Sequence, residues 1–144
     1  MRRAVAGGRL PMRVEALDHV NIITDDLDGT ARFYAELLGL ERRDAPPPLT
    51  PETATWMFDD AGRAIVHINS VDCPRTYDRD VPQGALTGAL HHVALKMQGY
   101  EECKARLDAR GADYQENLVE AINLRQIFTA DPNNILLELN FFAG

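Results

Sequence analysis

The sequence has only two cysteines, no long apolar run and fewer basic than acidic residues. Cys73 and Cys103 form neither a CxxC pair nor a zinc-finger spacing, so we expect reduced thiols in a cytoplasmic protein. No apolar segment approaches the roughly 18 residues that a membrane helix needs. The first residues are basic, but no apolar stretch precedes Pro11, which argues against a signal peptide.

The charge balance argues against a nucleic-acid partner. Fifteen Lys and Arg residues face 22 Asp and Glu residues, for a formal charge of −7, and the basic residues are scattered along the chain. Binding to a phosphate backbone needs a concentrated basic surface. A chain of this length can bury roughly two thirds of its unfolded surface and needs no structural metal to fold. Any metal inferred from the sequence is therefore functional.

One pattern occurs twice in the chain. The segments LDHVNI (17–22) and LHHVAL (90–95) each place a histidine third in an alternating apolar run, which is typical of a half-buried strand. A helical pattern follows each segment, starting in the first copy at Asp25 or Asp26. The helices are predicted to end at Gly39 and Gly111. The chain is thus predicted to be a diverged duplication.

Each copy is predicted to run strand, helix and three strands. The remaining strands are predicted at 40–44, 55–58, 64–69, 113–118, 124–128 and 135–140. The fold class is therefore α+β, built from two βαβββ modules. The predicted organisation is a flexible N-terminal extension (1–13), a first module (14–70), a linker (71–88) and a second module (89–144).

Four polar side chains interrupt otherwise apolar strands at equivalent places of the two copies. They are His19, His67, His92 and Glu138, of which the first and third open a module and the other two lie in its last strand. A lone histidine on a strand is usually structural, but that explanation does not account for four equivalent positions. If the modules pack with pseudo-twofold symmetry, the four converge in pairs. Three imidazoles and a carboxylate then suit a first-row divalent metal.

Further polar residues lie near these four positions and are candidates for substrate binding. Asn21, Asn69 and Asn140 share strand faces with His19, His67 and Glu138, because side chains two residues apart point the same way. His91 lies on the opposite face from His92 and is taken as structural. The remaining candidates, each with a competing role in packing, in a turn or at the surface, are Gln126, Arg125, Trp56 and Tyr77.

With its two module openings and its closing segment QIFTADPNNILLELNF, the chain resembles the vicinal oxygen chelate superfamily over residues 14 to 142. That group includes glyoxalase I, methylmalonyl-CoA epimerase, extradiol dioxygenases, fosfomycin resistance enzymes and bleomycin-binding proteins. The resemblance implies a cup-shaped mixed sheet whose interior holds one divalent ion per site. It places the ligands at His19, His67, His92 and Glu138, and it implies a homodimer.

The ligand set departs from two of these relatives. Glyoxalase I and the epimerase usually carry Glu or Gln where this chain has His67, which argues against an isomerase that uses two carboxylate bases. The extradiol dioxygenases use two histidines and one glutamate, which match His19, His92 and Glu138 and suit Fe(II). His67 would then be a fourth ligand or an acid–base group just outside the ligand set.

The leading hypothesis is a metalloenzyme whose small substrate chelates the ion through adjacent oxygens, with Glu138 or His67 as general base. Iron would favour an oxygenase, whereas nickel, zinc, cobalt or manganese would favour a lyase or isomerase. The alternative is a non-catalytic protein that binds a drug or metabolite, like the bleomycin-resistance relatives. Metal content distinguishes the two classes.

Overall fold

The computed structural model describes residues 11–75, 79 and 84–142. The candidate substrate residue Tyr77 and most of the predicted N-terminal extension lie outside these residues. The first half of the chain folds as β1 (Val20–Thr24), α1 (Leu27–Leu38), β2 (Glu41–Asp44), β3 (Ala54–Phe58) and β4 (Ala64–Ser70). The second half folds as β5 (Val93–Met97), α2 (Tyr100–Ala109), β6 (Tyr114–Val119), a 3-10 turn (Glu120–Ile122), β7 (Leu124–Ala130) and β8 (Leu136–Phe142).

The strands form two four-stranded sheets with the same topology. The strand orders are β1-β4-β3-β2 and β5-β8-β7-β6. In each sheet the first and last strands of the module pair in parallel, and the other pairs are antiparallel. The predicted fold class of two βαβββ modules is confirmed. Within the described ranges, no strand hydrogen-bonds across from one sheet to the other.

Helix α1 begins and ends at the residues that the sequence indicates. The Asp26 side chain accepts a hydrogen bond from the Gly29 backbone N–H at 3.0 Å, which satisfies one of the free donors of the first turn. Gly39 adopts a left-handed conformation with φ of 73°, and its N–H bonds back to Ala35. A side chain at this backbone angle would be strained, which explains the glycine.

Both modules contribute to one hydrophobic core on the helix side of the sheets. Buried residues of α1, such as Phe33 and Leu37, belong to the same cluster as Leu107 of α2 and Ile127 of β7. Cys103 also lies in this core, and both cysteines are free thiols. Neither helix in the described part of the chain is long and apolar enough to cross a membrane.

Specific polar contacts fix the two modules to each other through α1. The buried Tyr34 hydroxyl donates to Asp131 in the β7–β8 turn at 3.0 Å. The Arg106 side chain on α2 donates to the carbonyl groups of Glu36 and Leu37 in the last turn of α1, each at 3.2 Å. Since these contacts involve the helices, the opposite faces of the two sheets take no part in them.

Candidate metal centre

The predicted ligands lie on, or next to, the open faces of the two sheets. In the first sheet Trp56 pairs with His67 and His67 pairs with Asn21, so the three residues form one row across the strands. Their neighbours along β4, Val66 and Ile68, are buried in the core. Since alternate side chains point to opposite faces, the Trp56 row lies on the face away from the helices.

His19 stands one residue before β1 and is oriented by its neighbour. Its Nδ1 atom lies 2.5 Å from the carboxylate of Asp18. Because a carboxylate oxygen accepts hydrogen bonds, the Nδ1–H group of His19 faces Asp18, and Nε2 is the nitrogen left to bind a metal ion. A carboxylate on the far nitrogen is the usual support of a metal-binding histidine. The sequence interpretation did not use Asp18, although its position beside His19 was visible.

His67 is held between two aromatic rings. The Trp56 ring stacks on it with centroids 3.9 Å apart, and the His19 ring stacks on its other side at 3.7 Å. Burial, and secondarily the nearby His19, lowers the pKa of His67 below its ordinary value. The stack therefore favours a neutral imidazole at position 67.

The stacked geometry limits what His19 and His67 can do together. Their ring planes differ by only 13°. A nitrogen lone pair lies in its ring plane, so an ion bound to both rings would lie in both planes. Planes this close to parallel meet on the order of 15 Å away, whereas a metal–nitrogen bond is about 2.0–2.1 Å. In this arrangement one of the two histidines can bind a given ion, and the other must turn to join it.

The second pair of predicted ligands lies on the other sheet. His92 stands one residue before β5, and its Nε2 is 3.7 Å from Oε1 of Glu138 on β8. Two ligands about 2.1 Å from a tetrahedral ion are about 3.4 Å apart, so a small adjustment lets both atoms bind one ion. His92 Nδ1 contacts Nδ1 of His91 at 3.0 Å, which leaves Nε2 turned towards Glu138.

A chain of side-chain amides supports Glu138 from the neighbouring strands. Asn140 Nδ2 donates to Glu138 Oε2 at 2.9 Å, and Gln126 Nε2 donates to Asn140 Oδ1 at 3.0 Å. Asn117 Nδ2 on β6 then donates to Gln126 Oε1 at 2.8 Å. Asn117 was not a sequence candidate, because only the pairing of β6 with β7 shows that it stands beside Gln126.

The other candidate substrate residues differ in accessibility. Asn21 is exposed beside His67, and Trp56 is partly exposed in the same row. Asn69 is only 8% exposed, and its amide donates to the Cys73 sulfur at 3.4 Å. The loop after β4 therefore covers Asn69 and leaves it little surface for a ligand.

The structure brings the four predicted ligands together as two pairs. His19 and His67 lie on one sheet, and His92 and Glu138 lie on the other. Among the residues that the structure describes, no group of three His, Cys, Asp or Glu side chains is placed to hold one metal ion. The donor atoms suit a first-row divalent ion, but each sheet supplies only half of the set.

Comparison with known proteins identifies relatives over most of the chain. Residues 16–139 match the family model of the glyoxalase/bleomycin resistance protein/dioxygenase superfamily. The chain is 26% identical over 132 residues to the protein named Glyoxylase I 4 from Arabidopsis thaliana. That alignment covers 90% of this chain and 72% of the plant protein.

Solved structures share the fold at low sequence identity. A glyoxalase family protein from Bacillus anthracis has a TM-score of 0.67 at 16% identity, covering 92% of this chain and 99% of that one. The fosfomycin resistance protein FosX from Listeria monocytogenes has a TM-score of 0.63 at 21% identity, covering 91% of this chain and 96% of that one. A lactoylglutathione lyase from Agrobacterium tumefaciens has a TM-score of 0.61 at 17% identity, covering 90% of this chain and 95% of that one.

Proposed function

The chain belongs to the glyoxalase/bleomycin resistance protein/dioxygenase superfamily, and on this basis we propose that it is a divalent-metal-dependent enzyme. Its substrate is a small molecule that chelates the ion through two adjacent oxygens. The observation that carries the proposal is the His92–Glu138 pair, whose Nε2 and Oε1 atoms lie 3.7 Å apart on an open sheet face. A carboxylate beside an imidazole, with a free side towards solvent, suits a divalent cation.

The complete site needs two copies of the chain. Tyr34 and Arg106 fix the modules through their helices, which leaves the two ligand pairs on separate open faces. A twofold dimer can bring the first pair of one copy against the second pair of the other and so build two equivalent sites. Leu17 and Leu90, at equivalent places before β1 and β5, are 82% and 56% exposed. A dimer interface would cover such large apolar side chains.

The geometry supports three ligands and one neighbouring base. His19, His92 and Glu138 form a two-histidine, one-carboxylate set that leaves positions open for a chelating substrate. His67 and His19 cannot share an ion while the rings are stacked. Because Asp18 orients His19, we assign His19 to the ion and His67 to an acid–base role beside it. A bound divalent ion would supply Lewis-acid stabilisation of an oxyanion on the substrate. Either His67 or Glu138 would take up the substrate proton.

The ligand assignment is tested by elemental analysis of protein purified without chelator or an affinity metal. We expect near-stoichiometric metal in the wild type and little or no retained metal in His19→Ala, His92→Ala and Glu138→Ala. His67→Ala should keep its metal, since His67 lies outside the ligand set. His91→Ala, which removes the one further histidine of the sequence, should cost less metal than any ligand variant, because His91 contacts only Nδ1 of His92.

The identity of the metal and the choice of substrate divide the remaining possibilities. Iron supports an oxygenase, and nickel, zinc, cobalt or manganese supports a lyase or isomerase. Because two structural neighbours are named as a lactoylglutathione lyase and a fosfomycin resistance protein, lactoylglutathione and fosfomycin are the first compounds to test. If the protein holds no metal even after reloading, the metalloenzyme proposal fails and a non-catalytic binding protein becomes the better account.

A further inference from the structure

The amide chain beside Glu138 has a single direction. An ionised carboxylate only accepts hydrogen bonds, so Asn140 must turn its NH₂ group towards Glu138 Oε2. The Asn140 carbonyl oxygen then faces Gln126, which in turn presents its own carbonyl oxygen to Asn117. Each amide is therefore oriented by the one before it, starting from the carboxylate.

These bonds leave the two oxygens of Glu138 in different surroundings. Oε2 is occupied by Asn140, whereas Oε1 faces Nε2 of His92. The Glu138 side chain is only 19% exposed, so it has little freedom to exchange the two oxygens. Hydrogen-bond networks of this kind orient ligands and maintain their geometry.

We propose that Asn140 is a positioning residue, supported by Gln126 and Asn117, that holds Glu138 with Oε1 facing His92 and the proposed ion. This inference rests on the proposed metal site. The proposal replaces the substrate-binding role that the sequence suggested for Asn140 and Gln126. Both amides are instead engaged in the chain of hydrogen bonds that leads to Glu138. A substrate would have to break an existing bond to use either amide.

The first module provides an internal comparison. Asn69 occupies the place of Asn140 in the other copy, two residues after His67 as Asn140 is two residues after Glu138. Its amide donates to the Cys73 sulfur and not to His67, which occupies the place of Glu138 in this module. The support chain is therefore specific to the module that carries the carboxylate, as expected if it serves Glu138.

The test is the affinity for Zn²⁺, measured by competition with a chromophoric chelator on the intact protein. We expect Asn140→Ala to weaken binding by roughly 10- to 100-fold, the usual effect of removing a residue that orients a ligand. Gln126→Ala should weaken it less, because Asn140 remains in place. Asn69→Ala is the matched control and should stay within about twofold of the wild type, because its amide does not touch a predicted ligand.

A double-mutant cycle shows whether Asn140 acts through Glu138. In the Glu138→Ala background, Asn140→Ala should cause no further loss of affinity, because the two changes remove one interaction. Unchanged affinity in Asn140→Ala, or an equal loss in the Glu138→Ala background, overturns the positioning role alone. If the wild type binds no Zn²⁺, or if Glu138→Ala leaves binding intact, the proposed metal site fails and the positioning role fails with it.

Discussion

The hydrogen bond between Tyr34 and Asp131 joins the two modules, so Tyr34→Phe tests how they are held together. Tyr34 is 2% exposed, and its hydroxyl donates to Asp131 Oδ2 at 3.0 Å. The other oxygen, Oδ1, accepts the backbone N–H groups of Asn133 and Ile135 at 2.8 and 2.9 Å. Removal of the hydroxyl therefore leaves Oδ2 buried without this donor while the turn still holds Asp131 in place.

The expected loss of stability follows from the charge and burial of the pair. A hydrogen bond to a charged group contributes about 1.5–3 kcal/mol, and a buried acceptor left without its donor loses a similar amount. We expect the free energy of unfolding to fall by about 2 kcal/mol in Tyr34→Phe, which for a chain of this size lowers Tm by about 6 °C. Tyr114→Phe is the matched control. Its hydroxyl donates to Asp108 at an exposed position, so its effect should stay within about 0.5 kcal/mol.

The same contact predicts a pH dependence. Burial, followed by the charge of Asp131, raises the pKa of Tyr34 far above its ordinary value of about 10. Because the pKa of Tyr34 is raised in the folded state, the contribution of its protonated hydroxyl to the free energy of unfolding is complete below pH 10. It is lost progressively as the pH rises above 10. There the unfolded chain releases a proton that the folded protein keeps, so the free energy of unfolding falls by about 1.4 kcal/mol per pH unit. The Tyr34→Phe variant has no ionisable hydroxyl at this position, so its free energy of unfolding lacks this pH dependence.

The assay is urea unfolding at fixed protein concentration, followed by the emission of the single tryptophan, Trp56. The free energy of unfolding of the wild type should exceed that of Tyr34→Phe at pH 8, and the difference between the two free energies should narrow from pH 10 upwards. A Tyr34→Phe protein as stable as the wild type at pH 8, or a difference that stays constant to pH 11, would refute the reasoning.

Other contacts lead to three further predictions. Asp18→Asn should weaken metal binding roughly tenfold because it removes the charge that orients His19; unchanged affinity would contradict this. Metal binding should change Trp56 emission through the stacked His67, and His67→Ala should abolish the change; a response that persists in this variant would refute the coupling. Arg106→Ala should lower the free energy of unfolding by about 1 kcal/mol in urea titrations, because two carbonyl groups at the end of α1 lose their donor. No measurable loss would show that the contact is unimportant.

Much of the fold could be predicted because local signals agree with it. Alternating apolar residues mark the strands, while Asp26 and Gly39 mark the ends of α1. The repeat also placed the ligand candidates at equivalent positions. The sequence pattern placed His19 and His92 within the opening strands, whereas each stands one residue before its strand in the structure.

The site was harder to predict because its details depend on contacts between distant segments. Period two assigns Asn69 and Asn140 to equivalent faces, but it does not show that a loop covers one and that Gln126 bonds to the other. The sequence pattern also does not show that α1 and α2 pack together and leave the sheets open. The separation of His67 from Glu138 follows from that packing.

The central claim is that each metal site combines His19 and His67 of one chain with His92 and Glu138 of the other chain in a dimer. It is tested by co-expressing a chain that lacks His19 and His67 with a chain that lacks His92 and Glu138, under different tags, and isolating the mixed dimer. Each homodimer should bind no metal tightly, whereas the mixed dimer should hold one ion per dimer, because one site regains all four residues. A mixed dimer without tightly bound metal, alongside a wild-type dimer that holds two ions, would contradict the account.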